Sequence, residues 1–372
     1  MKLKTLVLIA GIFLLIICID IAVLLFFSKT PYSIQRAQGD AISLQMESKR
    51  FLDACGNESN KTRCYQDLFT SFTRNHSLTD ATKLLEVLTQ LDKDVSYCHP
   101  YAHRIAHAEV EKNPKDWLGI LGVVDPFACT RGFFHGVIEA HIGTDSDFTL
   151  SKESITQMCT IVNQVSSKKT YDDTSCVHAI GHVLLVQERG NMSTAITVCS
   201  KLQGNNVYGC AEGVFMENTN RANLSEHGIA ERRSWDTDFI AEQEDLCLKY
   251  SGKVASACFV TLADMYASVY EGNQERLYSL CQQAPATTDK KQCYLQAAGF
   301  SNFLSISRGK NNKNIFEFCE ATEGEKDYNR CVTFLVGYLQ RSLPNVTSLL
   351  TINCQLLSDT PRKVCLTELE KR

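Results

Sequence analysis

Seventeen cysteines constrain the fold of this 372-residue chain more than any other feature of its sequence. In the second half of the chain they fall into pairs whose members are 11 or 12 residues apart. These pairs are Cys199 with Cys210, Cys247 with Cys258, Cys281 with Cys293, Cys319 with Cys331, and Cys354 with Cys365. From Cys247 onward a new pair begins after 34, 38 and 35 residues. A recurrence near this length indicates repeated supersecondary units.

Each unit is predicted to be a helical hairpin closed by a disulfide. The first cysteine of a pair ends an amphipathic stretch such as "EDLCLKY", and the second opens an apolar one such as "CFVTLADMYASVY". Closing so short a loop stabilises a fold by roughly 3 kcal/mol in the chain-entropy model. The C-x₂-C clusters typical of metal-binding cysteines are absent. The period is similar to that of tetratricopeptide helix pairs, although their consensus residues are missing.

The earlier cysteines are spaced less regularly. The same sequential rule pairs them, but scrambled or free thiols stay open as alternatives for Cys55, Cys64, Cys98, Cys129, Cys159 and Cys176. The predicted fold is therefore all-α, with disulfide-stapled helical hairpins in a solenoid-like or compact array over residues 51–372. One polar stretch, Asn218 to Glu244, is too long for a hairpin loop and is predicted to be a flap or a surface excursion.

The N-terminus is predicted to be a transmembrane signal-anchor helix over residues 5–27. These 23 residues carry one charge, Asp20, and as a helix they span a hydrocarbon core of roughly 30 Å. Lys2 and Lys4 precede the span, which assigns residues 1–4 to the cytoplasm. A cleavable signal peptide is the alternative, but its apolar region is shorter and no small-residue cleavage site follows Phe27.

The rest of the chain is expected outside the cytosol, with residues 28–50 as a stalk. The sixteen cysteines beyond the span are an even number, which fits an extracellular, lumenal or periplasmic domain with disulfides. Six N-x-S/T sequons predict a glycoprotein if the host glycosylates: Asn57, Asn60, Asn75, Asn191, Asn223 and Asn345. The net charge of −4, without a Lys/Arg cluster, argues against binding of nucleic acid.

Seven of the nine histidines lie between residues 99 and 182. In "CHPYAHRIAHAEV", His103 and His107 are four residues apart and share one helix face, whereas His99 precedes the predicted helix and is a weaker candidate. In "CTRGFFHGVIEAHI", His135 and Glu139 have the same spacing. His141 in that stretch points elsewhere.

Two further stretches continue this pattern. "CVHAIGHVLLV" carries His178 and His182, and "CAEGVFMEN" has Glu212 at the position of His178. Stacked repeats bring equivalent positions side by side, so these side chains are predicted to converge. Four glycines on the same helices permit close approach of their backbones: Gly132, Gly136, Gly181 and Gly213.

This convergence predicts a metal site. The predicted ligands are His103, His107, His135, His178 and His182. Glu139 and Glu212 are predicted to be catalytic, as further ligands or as a general base beside metal-bound water. Imidazole and carboxylate suit Zn²⁺, Fe²⁺, Mn²⁺ or Cu²⁺, of which Zn²⁺ or Fe²⁺ is preferred. His76 and His227 lie outside the repeat helices and are predicted to be dispensable.

Other interpretations of the histidines stay open at this point. They fit a hydrogen-bonded structural network or a pH-sensitive switch. In the first case the chain is a disulfide-rich helical repeat module that binds a protein partner. The sequence contains no G-x-S-x-G, Walker or dinucleotide-binding motif, so it points to no other enzyme class and to no substrate.

Overall fold

The computed structural model describes residues 44–371, apart from short internal gaps at 59, 93–94, 96–97, 124–127, 145–149, 166–172, 222–223, 226–227, 232, 271–272, 310–313, 323 and 344–345. The predicted cytoplasmic tail and transmembrane helix, and most of the predicted stalk, lie outside the described residues. Among the helices that are described, none combines the length and apolar composition needed to cross a membrane.

The described residues form seventeen α-helices and contain no strand, which confirms the all-α prediction. The helices are α1 Leu44–Cys55, α2 Lys61–Asn75, α3 Leu78–Leu91, α4 His99–Lys112, α5 Trp117–Val123, α6 Gly132–Thr144, α7 Lys152–Val165, α8 Asp173–Gln187, α9 Met192–Ser200, α10 Asn206–Asn220, α11 Thr237–Cys247, α12 Gly252–Tyr270, α13 Gln274–Cys281, α14 Thr287–Ser307, α15 Gly324–Ser342, α16 Thr347–Gln355 and α17 Asp359–Leu369. Three 3₁₀ turns, Pro114–Asp116, Ala128–Arg131 and Glu317–Ala321, connect some of them.

Eight disulfides join the cysteines in sequential order. The five regular pairs are bonded as predicted. The three irregular pairs are bonded as well: Cys55 with Cys64, Cys98 with Cys129, and Cys159 with Cys176. The Cα atoms of the bonded cysteines are 5.2 to 5.6 Å apart, within the range that disulfide geometry allows.

The helices begin earlier than the cysteine pattern suggests. Cys258 and Cys331, for example, lie well inside α12 and α15 rather than at their first residue. The polar residues before the second cysteine form the first turns of the helix. The disulfide joins two residues that face each other on neighbouring helices, so the second cysteine lies inside its helix. The Cys98–Cys129 bridge also differs from a hairpin staple, since it ties the start of α4 to the 3₁₀ turn before α6.

The long helices pack in a row in chain order. Each contacts the next along the series α2, α4, α6, α8, α10, α12, α14, α15 and α17, while the shorter helices attach to this row. In addition, α15 packs against the 3₁₀ turn at Ala128–Arg131. The middle of the row is buried on all sides: residues 132–140 of α6 and 175–185 of α8 have no exposed member. Such helices are normally apolar all round, so the histidines and glutamates within them require a specific reason.

Glycines set the separation of these central helices. A Cβ atom on Gly213 of α10 would lie 2.0 Å from the carbonyl oxygen of His178, and one on Gly181 of α8 would lie 2.3 Å from that of Cys210. Gly132 and Gly136 of α6 approach the backbone of His99 and His103 in the same way. In the α4–α6 and α8–α10 pairs, later residues of one helix contact later residues of the other, so the two helices of each pair are parallel. The predicted close approach is confirmed.

This packing makes Gly213 intolerant of a side chain. Gly213→Ala should lower the free energy of unfolding by about 2–3 kcal/mol, because the new methyl group meets a backbone carbonyl and forces α8 and α10 apart. Gly143→Ala is the control, since a Cβ atom there meets nothing within 4 Å and the exchange should be neutral or stabilise by up to about 1 kcal/mol. Urea unfolding with the disulfides intact measures both. Equal stability of the two variants would contradict the packing.

Candidate metal centre

Five histidines from three helices form one cluster. His99 and His103 come from α4, His135 from α6, and His178 and His182 from α8. The centroids of neighbouring rings are 4.6 to 6.3 Å apart. The five residues form two sets of three that share His135, and each set could hold a metal ion. The structure thus brings together four of the five predicted ligands and adds His99.

An oxygen acceptor fixes the Nδ1 atom of four of these rings. His103 Nδ1 lies 3.1 Å from Glu139 Oε2, and His178 Nδ1 lies 3.0 Å from Glu212 Oε2. His182 Nδ1 lies 3.3 Å from Glu217 Oε2. His99 Nδ1 lies 3.1 Å from the carbonyl oxygen of Cys129. Carboxylate and carbonyl oxygens can only accept, so each Nδ1 is the donor, and each neutral ring carries its lone pair on Nε2.

The Nε2 atoms that remain face one another in pairs. They are 3.0 Å apart in the His99–His103 pair and 3.3 Å apart in the His178–His182 pair. Two nitrogens bound at 2.0–2.1 Å to one ion are about 2.9–3.4 Å apart at octahedral or tetrahedral angles. Lone pairs at this distance repel unless a proton or a metal ion lies between them. The spacing within each pair therefore matches that of two ligands of a single ion.

Burial and mutual repulsion keep most of the cluster neutral. Burial, together with neighbouring histidines, holds the pKa values of His99 and His135 well below their usual range. Burial also lowers the pKa of His178. Burial opposes the charge on His182 as well, but its hydrogen bond to Glu217 and the nearby carboxylates raise its pKa above the ordinary value. Neutral imidazole is the form that binds metal ions.

His135, at the centre of the cluster, differs from the other four. Its side chain is 4% exposed. Neither Nδ1 nor Nε2 has a hydrogen-bond partner in the part of the chain that the structure describes. A buried polar group without a partner costs about 1–3 kcal/mol. Both nitrogens of this ring are thus placed for a ligand that protein groups do not supply.

Three carboxylates surround the histidines. Besides its contact with His178, Glu212 accepts a hydrogen bond from Tyr208 Oη at 3.1 Å. Burial raises the pKa values of Glu139 and Glu212, but the charges and hydrogen bonds of His103 and His178 respectively outweigh it and lower both pKa values. Glu139 and Glu212 are therefore ionised at neutral pH and make the potential at the Nε2 atoms favourable for a cation.

Some of the predicted site residues lie outside the two sets of three histidines. His107 lies in neither set of three, and its Nε2 atom is 3.5 Å from Glu139 Oε2. Glu139 and Glu212 face Nδ1 atoms rather than the Nε2 pairs. His76 stacks on Phe72 away from the cluster, and His227 lies outside the described residues. His141 stacks on Trp117 and takes no part in either set, as predicted.

Glu217 belongs to the site although the cysteine pattern did not single it out. It is 2% exposed and lies one turn after Gly213 on the face of α10 that packs against α8. Its Oε1 atom accepts the backbone N–H of Leu224 at 3.1 Å. Leu224 lies within the long stretch predicted to be a flap or a surface excursion, so part of that stretch anchors a carboxylate of the site. Its spacing of four residues from Gly213, which places the two on one helix face, was the available signal in the sequence.

Backbone strain is stored beside the cluster. Cys129 and Arg131 have φ values of 51° and 70°, in the left-handed region, which costs a residue other than glycine on the order of 1–3 kcal/mol. The turn directs the Cys129 carbonyl at His99. It also brings the Arg131 charge near His178 and Glu212, where it lowers both pKa values. Strain of this kind persists where the surrounding structure holds it in place, here through the Cys98–Cys129 disulfide.

Comparison of the chain with protein-family models, curated proteins and solved structures finds no match. Function is therefore inferred from the residues of the site.

A half-buried aspartate on the next helix lies within electrostatic reach of Glu212. Asp264 of α12 occupies the sixth position after its cysteine, as His182 does in α8. Its Oδ1 atom accepts a hydrogen bond from Gln296 Nε2 at 3.0 Å. Burial, reinforced by the charge of Glu212, raises the pKa of Asp264 to about 7.

The raised pKa of Asp264 predicts how the stability of the protein changes with pH. The folded protein binds a proton on Asp264 between pH 3.8 and about 7, where the unfolded chain does not, so this contribution to stability is lost as the pH rises. Asp264→Asn keeps an acceptor for Gln296 but cannot ionise. It should gain about 1–3 kcal/mol of stability relative to the wild type between pH 5 and pH 8. Asp245→Asn, at an exposed position, is the matched control. A pH-independent difference in urea unfolding for Asp264→Asn would refute the assignment.

Proposed function

We propose that this chain is a membrane-anchored metalloprotein whose extracytoplasmic, disulfide-stapled helical repeat domain binds divalent transition-metal ions in the histidine cluster. One observation carries the proposal: four imidazoles have Nδ1 fixed by an oxygen acceptor and direct their Nε2 atoms at one another at 3.0 and 3.3 Å. Metal-binding histidines commonly donate their other ring N–H to a carboxylate or a carbonyl in this way. A structural network does not need four acceptors arranged for the same tautomer.

The ligand chemistry favours zinc. The sixteen cysteines of the described domain are all in disulfides, so no thiolate competes and the donors are imidazole nitrogens. Oxygen-seeking ions such as Mg²⁺ and Ca²⁺ are disfavoured by such a set. Three imidazoles that leave a fourth position open are a ligand set of catalytic zinc sites. We therefore propose Zn²⁺, with Fe²⁺ as the second choice.

The proposal revises the predicted roles of several residues. His99 takes the ligand position that was predicted for His107, while His107 contacts Glu139. Glu139, Glu212 and Glu217 orient histidines, and their engagement with N–H donors makes them poor general bases. A bound ion would supply Lewis acidity. Solvent reaches the cluster at His103 and Glu212, whose side chains are 15% and 23% exposed. We propose that a substrate would enter there if the site is enzymatic.

Elemental analysis of protein purified without a histidine tag or chelator tests the metal. Wild-type protein should contain Zn²⁺ or take it up on titration. The double variant His103→Ala/His182→Ala should lose it, because each set of three loses a ligand. Glu217→Gln should bind about 10–100-fold more weakly, since its amide oxygen can still accept from His182 but the negative charge that strengthens this ligand is lost. His76→Ala should bind like the wild type.

One result would overturn this function. Wild-type protein with intact disulfides that contains no metal, and that takes up no added Zn²⁺, Fe²⁺, Mn²⁺ or Cu²⁺, would leave the histidines as a structural network. The helical protein-interaction module would then be the better account of the chain.

Topology is the second part of the proposal. We place residues 1–4 in the cytosol, residues 5–27 in the membrane, and the remainder outside the cytosol. Eight disulfides support this placement, because such bonds persist in oxidising compartments and are rare in the cytosol.

Protease treatment of sealed vesicles tests the topology. The domain from residue 28 onward should resist protease added on the cytosolic side and become sensitive when detergent opens the vesicles. A soluble cytosolic protein of known sensitivity is the control. Digestion of the domain from the cytosolic side in intact vesicles would contradict the placement.

A further inference from the structure

We infer that the cluster holds two metal ions rather than one, and that the imidazolate of His135 bridges them. One ion would be bound by His99, His103 and one nitrogen of His135, and the other by His178, His182 and the second nitrogen of His135. This inference rests on the proposed function, since it assumes that the cluster binds metal at all.

The grouping of the ligand atoms supports two positions. Within the described residues, the five histidines form two sets of three in which all ligand atoms lie within 4.8 Å of one another, and the sets share only His135. Nitrogens on opposite sides of a single ion are about 4 Å apart at most. Each set needs a small inward rotation of its rings to hold one ion. Among the described residues, no set within 4.8 Å combines members of the His99–His103 pair with members of the His178–His182 pair.

The hydrogen-bonding needs of the cluster also favour two ions. A single ion bound to one pair and His135 would leave the other two Nε2 lone pairs facing each other. It would also leave the second nitrogen of His135 buried without a partner. Two ions give every Nε2 atom of the four paired histidines, and both nitrogens of His135, a bond. The ring of His135 is in position for this role, at 5.5 and 5.8 Å from the rings of His99 and His103 and at 4.8 and 6.0 Å from those of His178 and His182.

Charge balance points the same way. Two divalent ions bring four positive charges into a buried region. The carboxylates of Glu139, Glu212 and Glu217 supply three negative charges, and the His135 imidazolate supplies the fourth. Arg131, which is half-buried, adds one positive charge near His178 and Glu212. Formation of the bridge requires the N–H proton of His135 to leave for solvent as the second ion binds, so loading releases this proton and is favoured by higher pH.

The experiment uses the full-length chain in detergent, without a histidine tag. Metal-free protein is titrated with Zn²⁺ alone, and the bound metal per chain is measured. Wild type should bind two ions, and His99→Ala and His178→Ala should each bind one. A second sample is loaded with Cu²⁺ and measured by electron paramagnetic resonance. Two Cu²⁺ spins joined by one imidazolate couple, so the wild-type signal should be weaker than the copper content requires, and His135→Ala should remove the coupling. His76→Ala should match the wild type.

The outcomes distinguish this inference from the proposed function. One Zn²⁺ per wild-type chain would overturn the dinuclear centre and leave the metalloprotein proposal standing. Two ions with uncoupled Cu²⁺ spins would overturn the bridge. No bound metal would overturn both. Because the stoichiometry and the coupling are measured on wild-type protein, misfolding of a variant cannot hide a negative result.

Discussion

The disulfides between successive helices are the constraint on which the rest of this structure depends. A cluster of five histidines and three glutamates, five of them buried, opposes folding, because each buried polar group gives up water. Short disulfide loops each offset roughly 3 kcal/mol by restricting the unfolded chain, and they do so on both sides of the cluster, at Cys159–Cys176 and at Cys199–Cys210. The Cys98–Cys129 bridge lies directly at the site, since it fixes both His99 and the carbonyl that this histidine binds.

Close helix contacts at glycines then bring the side chains of the site together. The backbones of α8 and α10 are in close contact at Gly181 and Gly213. This separation allows Glu212 to contact His178, and Glu217 to contact His182. A wider helix separation would place water or apolar side chains between these partners. On each helix, the face that carries the contacting glycine also carries a histidine or its glutamate partner within one turn.

Much of this arrangement could be predicted from the sequence, and the exceptions have physical causes. The regular cysteine intervals predict which cysteines pair, and the spacing of His178 and His182 predicts that they share a helix face. Both predictions rest on residues that are close in the sequence. The choice between His99 and His107 does not, because each is four residues from His103. A contact with Cys129, thirty residues away, decides it. Glu217 was missed for the same reason, since its role depends on the parallel packing of α8 and α10.

The bridge next to His99 also sets an order in which the protein can mature. Before oxidation, sixteen thiols of the domain are available, and thiolates bind Zn²⁺ strongly enough to hold it at non-native positions. The Cys98–Cys129 bridge holds the carbonyl that His99 contacts, and oxidation of the other cysteines removes the competing thiolates. If the cluster binds Zn²⁺ as proposed, the ion has to arrive after oxidative folding, because earlier delivery would trap the chain with zinc on its thiolates.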